Sequence, residues 1–186
     1  MVIVEGPDGS GKSTLIRHIN EHLGDNALPI APRVVSKDTE SMIPSLKAWV
    51  EDNVSRGFQA TIFDRHRLIS EPIYGTVLRS HFEPGFDDFQ WLYLQNYQLF
   101  NRCKPVVIYC LPPYKLVKRN VELDQGNQPK DVREGIRKIY SLYVSRAASD
   151  AALYGALVYD YTSPVGYRET IFRAVDKAIK EAVTNV

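Results

Sequence analysis

The stretch Gly6-Pro7-Asp8-Gly9-Ser10-Gly11-Lys12-Ser13-Thr14 constrains this chain more than any other. An apolar run, Met1-Val2-Ile3-Val4, precedes it, and a helical pattern of Leu15, Ile16, Ile19 and Leu23 follows. Strand, glycine loop and helix start, in that order, are what a phosphate cradle requires. The first N–H groups of a helix have no partner inside it, and the helix dipole adds partial positive charge there. Gly6, Gly9 and Gly11 let the backbone bend with its N–H groups pointing inward. Lys12 can reach β- and γ-phosphates, and the Ser13 hydroxyl can ligate Mg²⁺. Gly9, Ser10, Gly11, Lys12, Ser13 and Thr14 are therefore the expected nucleotide-binding residues, with ATP and Mg²⁺ as cofactors.

A chain of 186 residues suits one domain, 1–186, with a sizeable buried core. The net charge of +1, from 23 basic and 22 acidic residues, creates no global field to attract nucleic acid or an acidic membrane. Cys103 and Cys110 provide neither a disulfide framework nor a zinc spacing, so a reducing cytoplasm is expected. No signal peptide is visible, and every apolar run is far shorter than a membrane span.

Met1–Val4 does not alternate with polar residues, as expected for a strand buried on both faces. Lys12–Leu23 reads as a helix ended by Gly24. Val34-Val35, near Pro29 and Pro32, reads as a short edge strand, where proline is tolerated. Ser41–Arg56 is helical by period. Ala60–Phe63 is a second buried strand, ending in Asp64-Arg65-His66; a segment with Ser70, Glu71, Tyr74 and Arg79 follows. Phe86–Phe100 is an aromatic-rich helix whose spacing predicts core packing, with a base-stacking surface as the other reading. Val106–Tyr109 is the third buried strand. Tyr114–Val121 reads as a short helix, Glu122–Pro129 as a mobile polar loop, Lys130–Ala151 as a long helix, Ala156–Tyr159 as the last strand and Tyr167–Val183 as the closing helix. Alternating strands and helices predict a three-layer α/β/α fold around a five-stranded parallel sheet of order 2-3-1-4-5, with a lid at about 115–133.

Ligands of open α/β sheets sit beyond the carboxyl ends of the strands, so Asp64 and Arg65 are expected to share the crevice of the phosphate loop. Asp64 is a candidate Mg²⁺ ligand beside Ser13. Arg65 can bind an anionic acceptor as a two-pronged fork. Asp8 opposes ATP phosphates electrostatically, and that cost suggests a use, such as bonding an acceptor's sugar hydroxyl. Lys118, Arg119, Lys130 and Arg133 flank the polar loop. A closing lid keeps water from the γ-phosphate, and its cations neutralise transition-state charge. Arg119 is the preferred supplier of that charge.

Glu5-Gly6-Pro7-Asp8-Gly9-Ser10-Gly11-Lys12-Ser13-Thr14 and Asp64-Arg65-His66 together resemble the thymidylate kinase family of P-loop nucleoside monophosphate kinases. Ser70-x-x-x-Tyr74 resembles a further family motif, set one residue later here. The resemblance implies phosphoryl transfer from ATP to a deoxynucleoside monophosphate. It gives Asp8 to the acceptor sugar, Arg65 to the acceptor phosphate, Ser70 and Tyr74 to the acceptor's surroundings, and Tyr161–Ser163 to the vicinity of adenine. It also suggests a homodimer using the exposed share of the aromatic helix. Two features depart from it. Pro32-Arg33-Val34-Val35-Ser36-Lys37 stands where the family has Arg-Glu-Pro-Gly-Gly-Thr, and Gly75 replaces a glutamine that helps read thymine. The base can therefore be another, such as a modified pyrimidine, with Glu71, Arg79 or the aromatic helix reading it. Two other functions fit the motifs less well: a kinase acting on a nucleoside or polynucleotide hydroxyl, and a non-catalytic nucleotide-binding switch.

Overall fold

The computed structural model describes residues 1–31, 44, 46–50, 61–79, 85–124, 126–164 and 166–184. Its strands are β1 (Val2–Glu5), β2 (Ile62–Asp64), β3 (Val106–Cys110) and β4 (Leu157–Tyr159). Its helices are α1 (Lys12–Leu23), α2 (Arg67–Leu78), α3 (Phe86–Gln98), α4 (Tyr114–Leu123), α5 (Lys130–Tyr154) and α6 (Gly166–Thr184). The strands form a parallel four-stranded sheet of order β2-β1-β3-β4. The expected edge strand at Val34-Val35 and most of the expected Ser41–Arg56 helix lie outside the described residues. Nearby, Ile30 makes a parallel bridge to Ile62, on the side of β2 away from β1.

Successive strand residues point to opposite faces, and the sheet uses both. Ile3, Phe63, Val107 and Tyr109 pack with residues of α2, α3 and α5 in one core. Val2, Val4, Ile62, Ile108 and Cys110 pack with α1 and α6 in the other. The sheet is thus the middle of three layers. With both faces covered, Val2-Ile3-Val4 of β1 reads as an unbroken apolar run.

One segment gains an element, and one expectation needs correction. The segment with Ser70, Glu71 and Tyr74, which the sequence leaves unassigned, is part of helix α2, with Pro72 inside it and Arg79 just beyond its end. Proline lacks the N–H that would bond the carbonyl of residue 68; the Asn96 amide donates to that carbonyl instead, at 3.4 Å. The aromatic stripe of α3 does not pack in the core. Phe86, Phe89, Tyr93 and Tyr97 are 75, 62, 69 and 52% exposed, and within that stripe only Phe100, in the turn that continues the helix, is buried. Helical spacing establishes that side chains share a face, not what covers the face.

Candidate active site

The phosphate loop leaves β1 at Gly6, whose backbone φ of 139° is open to glycine and strained for other residues. A Cβ at Gly6 would also stand 2.5 Å from the backbone oxygen of Cys110, so β3 fixes the loop's exit. The loop delivers Gly11 to the N-cap of α1, whose first turn carries no acidic residue. Ser13 and Thr14 are exposed there, whereas Ser10 is buried with its hydroxyl inside the loop. Lys12 folds back and donates from Nζ to the Pro7 carbonyl at 2.8 Å. Burial, then the nearby Arg65 guanidinium, lowers its ammonium pKa to about 8.

β2 ends beside this loop, with Val4 paired to Asp64 and the Arg65 N–H bonded to the Val4 carbonyl. Arg65 then turns left-handed, at φ 70°. That turn sends its guanidinium toward the phosphate loop, where Nη2 donates to Asp8 Oδ1 at 2.8 Å and Nε to the Gly6 carbonyl at 3.4 Å. Tyr74, from α2, closes the group: its hydroxyl donates to Asp8 Oδ2 and accepts from Arg65 Nη2, both at 2.7 Å. Burial pushes the Asp8 carboxyl up, but Arg65 and Lys12 outweigh it and hold the pKa at about 2.

Asp8, Arg65 and Tyr74 border a cavity of about 370 Å³. Phe63, Trp49, Leu78 and Val132 give it apolar walls; Arg67, Ser70, Glu71 and Arg79 give it polar ones. Asn127, Gln128 and Pro129, from the turn between α4 and α5, lie along one side. The Ser70 hydroxyl donates to the His66 carbonyl, so its oxygen alone remains to accept. Asp64 borders both this cavity and a second one lined by Ser13 and Asn20. The Asp64 Oδ1 atom is buried and has no hydrogen-bond partner among the described residues. A partnerless buried carboxylate oxygen and an exposed serine hydroxyl on one cavity fit Mg²⁺, which takes few protein ligands and completes its shell with water and phosphate. No group of three or more His, Cys, Asp or Glu that could hold a metal ion occurs among the described residues.

Behind the loop, Glu5 is fully buried, accepting from the His66 N–H at 2.6 Å and the Tyr143 hydroxyl at 3.0 Å. Burial raises its pKa to about 7. On the far side, Asn120 of α4 donates to the Gly9 carbonyl at 2.8 Å and to the Tyr161 hydroxyl at 3.3 Å. The Tyr161 ring covers Gly11, 3.1 Å from where a Cβ would stand. Arg119, one residue before Asn120, is exposed and makes no hydrogen bond or ion pair among the described residues. α4 therefore reaches the phosphate loop through the Asn120 side chain, with Val117 and Val121 also lying against Gly9. Sequence reasoning missed Asn120, Arg67, Trp49 and Gln128 at this site; only proximity in the fold marks them.

No family model and no curated protein matches the chain. Solved structures of deoxyadenosine kinase from M. mycoides do match its fold. The form with dATP bound aligns at 16% identity, covering 94% of this chain and 98% of that one, with a TM-score of 0.57. The form with dCTP bound aligns at 21%, covering 95% and 100%, with a TM-score of 0.59. A form with dCMP and dCDP products gives 17%, 97% and 98%, and 0.56. These neighbours are deoxynucleoside kinases, not the thymidylate kinases that the phosphate loop and Asp64-Arg65-His66 resemble. At such identities the likeness is one of fold: an α/β arrangement built on a parallel sheet. No described helix is long and apolar enough to cross a membrane.

Proposed function

We propose that this protein is an ATP- and Mg²⁺-dependent phosphotransferase that moves the γ-phosphoryl group of ATP onto a (deoxy)nucleoside monophosphate. The observation that carries the reading is the meeting of two sites at one carboxylate. Asp8 belongs to the phosphate loop and also borders the cavity headed by Arg65 and Tyr74. That cavity falls in the size range of small-molecule sites.

In this reading the N–H groups of the loop and of the start of α1 cradle the donor phosphates, and Lys12 leaves the Pro7 carbonyl for phosphate oxygens. Ser13 and Asp64 would hold Mg²⁺, which neutralises charge on the transferred group when bound. Arg65 turns its fork from Asp8 to the acceptor phosphate, freeing Asp8 and the Tyr74 hydroxyl for the acceptor's sugar. Arg119, on the lid, supplies charge to the transition state.

A hydroxyl acceptor is the second reading, and the deoxyadenosine kinase neighbours favour it. It would be served by a base poised near neutral pH. Asp8 is held at about 2, and Glu5, raised to about 7, is sealed behind the loop. A monophosphate is already an anionic nucleophile and needs no base, so the carboxylates support the first reading. The test is ADP formation with ATP and Mg²⁺ against a panel of nucleosides and their monophosphates. Stimulation by monophosphates is expected; stimulation by nucleosides alone reverses the assignment, and stimulation by neither removes both.

A further inference from the structure

The acceptor cavity holds a second charged group that phosphoryl transfer does not use. Glu71 projects from α2 into the cavity wall, with Arg79 Nη1 3.0 Å from Oε2 and Arg67 Nε 3.5 Å from Oε1. All three side chains are largely buried, at 12, 15 and 7% exposure. Arg67 also lies 6.0 Å from the Trp49 ring centre, and Trp49 is part of the same cavity. Arg79 ends α2, its backbone N–H bonded to the Gly75 carbonyl and its φ and ψ extended, so that its side chain reaches back along the helix to Glu71.

Resting on the monophosphate kinase reading, we infer that Arg79, oriented by Glu71, selects the acceptor's base and takes bases with a carbonyl where cytosine and adenine carry an amino group: thymine and uracil at C4, guanine at C6, or a modified form of these. Asp8, Arg65 and Tyr74 meet the phosphate and sugar, which leaves the Glu71–Arg79 wall and the Trp49 ring for the base. A guanidinium has five N–H donors and no acceptor. One nitrogen of Arg79 is held by Glu71, and its other N–H groups have no hydrogen-bond partner among the described residues. Those donors match the O4 of thymine or uracil and the O6 of guanine, and at the same ring position they meet the amino group of cytosine or adenine donor to donor. Glu71 is a positioning residue: with both oxygens facing guanidinium groups, it fixes the fork and offers little to a base amino group.

The test compares kcat/KM for dTMP, dUMP, dGMP, dCMP and dAMP, with ATP and Mg²⁺, in the full-length protein and in Arg79→Met, Arg79→Lys and Glu71→Gln. The ratio between bases does not depend on how much of a variant is folded. The wild type is expected to favour at least one of dTMP, dUMP and dGMP over both dCMP and dAMP by about 10- to 100-fold, the range of one well-placed base contact. Arg79→Met is expected to bring the ratio close to one, mostly through KM. Arg79→Lys and Glu71→Gln are expected to fall between. A preference for dCMP or dAMP, or a ratio that survives Arg79→Met, overturns the inference and leaves the kinase reading standing. Loss of all turnover in both Arg79 variants also overturns it, because a base reader sets preference and does not perform the transfer. ADP formation that no monophosphate stimulates in the wild type removes the kinase reading itself, and this inference with it.

Discussion

Lys12 shows how one residue couples burial to the proposed chemistry. A buried ammonium needs a partner, and it has one carbonyl, that of Pro7. Lys12→Met is expected to lower kcat/KM by about 100-fold or more, about 3 kcal/mol of transition-state stabilisation, by analogy with the loss of one preorganised donor. The circular dichroism spectrum should be unchanged. The ammonium also predicts a linked proton. Its pKa is lowered to about 8, below the ordinary lysine value. By itself, therefore, Lys12 favours folding above the ordinary lysine pKa, and that contribution is lost as pH falls through 8. Anionic phosphates raise the pKa again, so nucleotide binding near pH 8 should take up about half a proton, and binding at pH 6 should take up none at this group. Calorimetry in two buffers of different ionisation enthalpy measures the uptake, with Lys12→Arg, which does not titrate there, as the reference.

The elements around the site differ in how they announce themselves. β1, the phosphate loop and α1 are legible because each signal is local: an apolar run, glycines at fixed spacing, then a 3.6-residue pattern closed by Gly24. β3 and α5 are equally plain. α2 is not, since Pro72 and Gly75 argue against a helix; its frame is completed by Asn96, distant in sequence. Likewise Asp8 and Arg65 can be picked out as site residues, but their pairing through the Tyr74 hydroxyl depends on how β2 and α2 meet. Asn120 carries no motif, yet it joins α4 to the loop at Gly9 and to Tyr161. Asn120→Ala removes that bond and leaves the Gly9 carbonyl without it. The expected outcome is a loss of about 1 kcal/mol of stability, a melting temperature lower by about 2–4 °C, and a several-fold higher KM for ATP with the acceptor KM unchanged. Equal rises in both KM values would contradict a role specific to the donor side.

Across the whole molecule, polar contacts tie the layer that borders the Arg65–Tyr74 cavity to the sheet. Asp150 of α5 is 2% exposed; it accepts from the Tyr109 hydroxyl of β3 and from Arg146 Nε at 2.8 Å. Arg146 continues to the Asn96 side-chain oxygen of α3, also at 2.8 Å. Asp150→Ala strands a buried hydroxyl and a guanidinium together. It should cost about 3 kcal/mol, a fall of roughly 6–12 °C in melting temperature for a chain of this size, read by a thermal scan. Asp150→Asn, which keeps an acceptor, should lose about half as much.

Glu5 works at the same scale. One carboxylate grips the corner after β2 through the His66 N–H, and the middle of α5 through Tyr143, while sitting in the strand that feeds the phosphate loop. In the proposed reading, the donor side and the acceptor side are thereby mounted on a common keystone that is fully buried. Under that reading, changes aimed at substrate choice belong on the cavity rim, where side chains can be exchanged singly, and a change at the keystone is expected to disturb both halves at once before it alters which molecule is accepted.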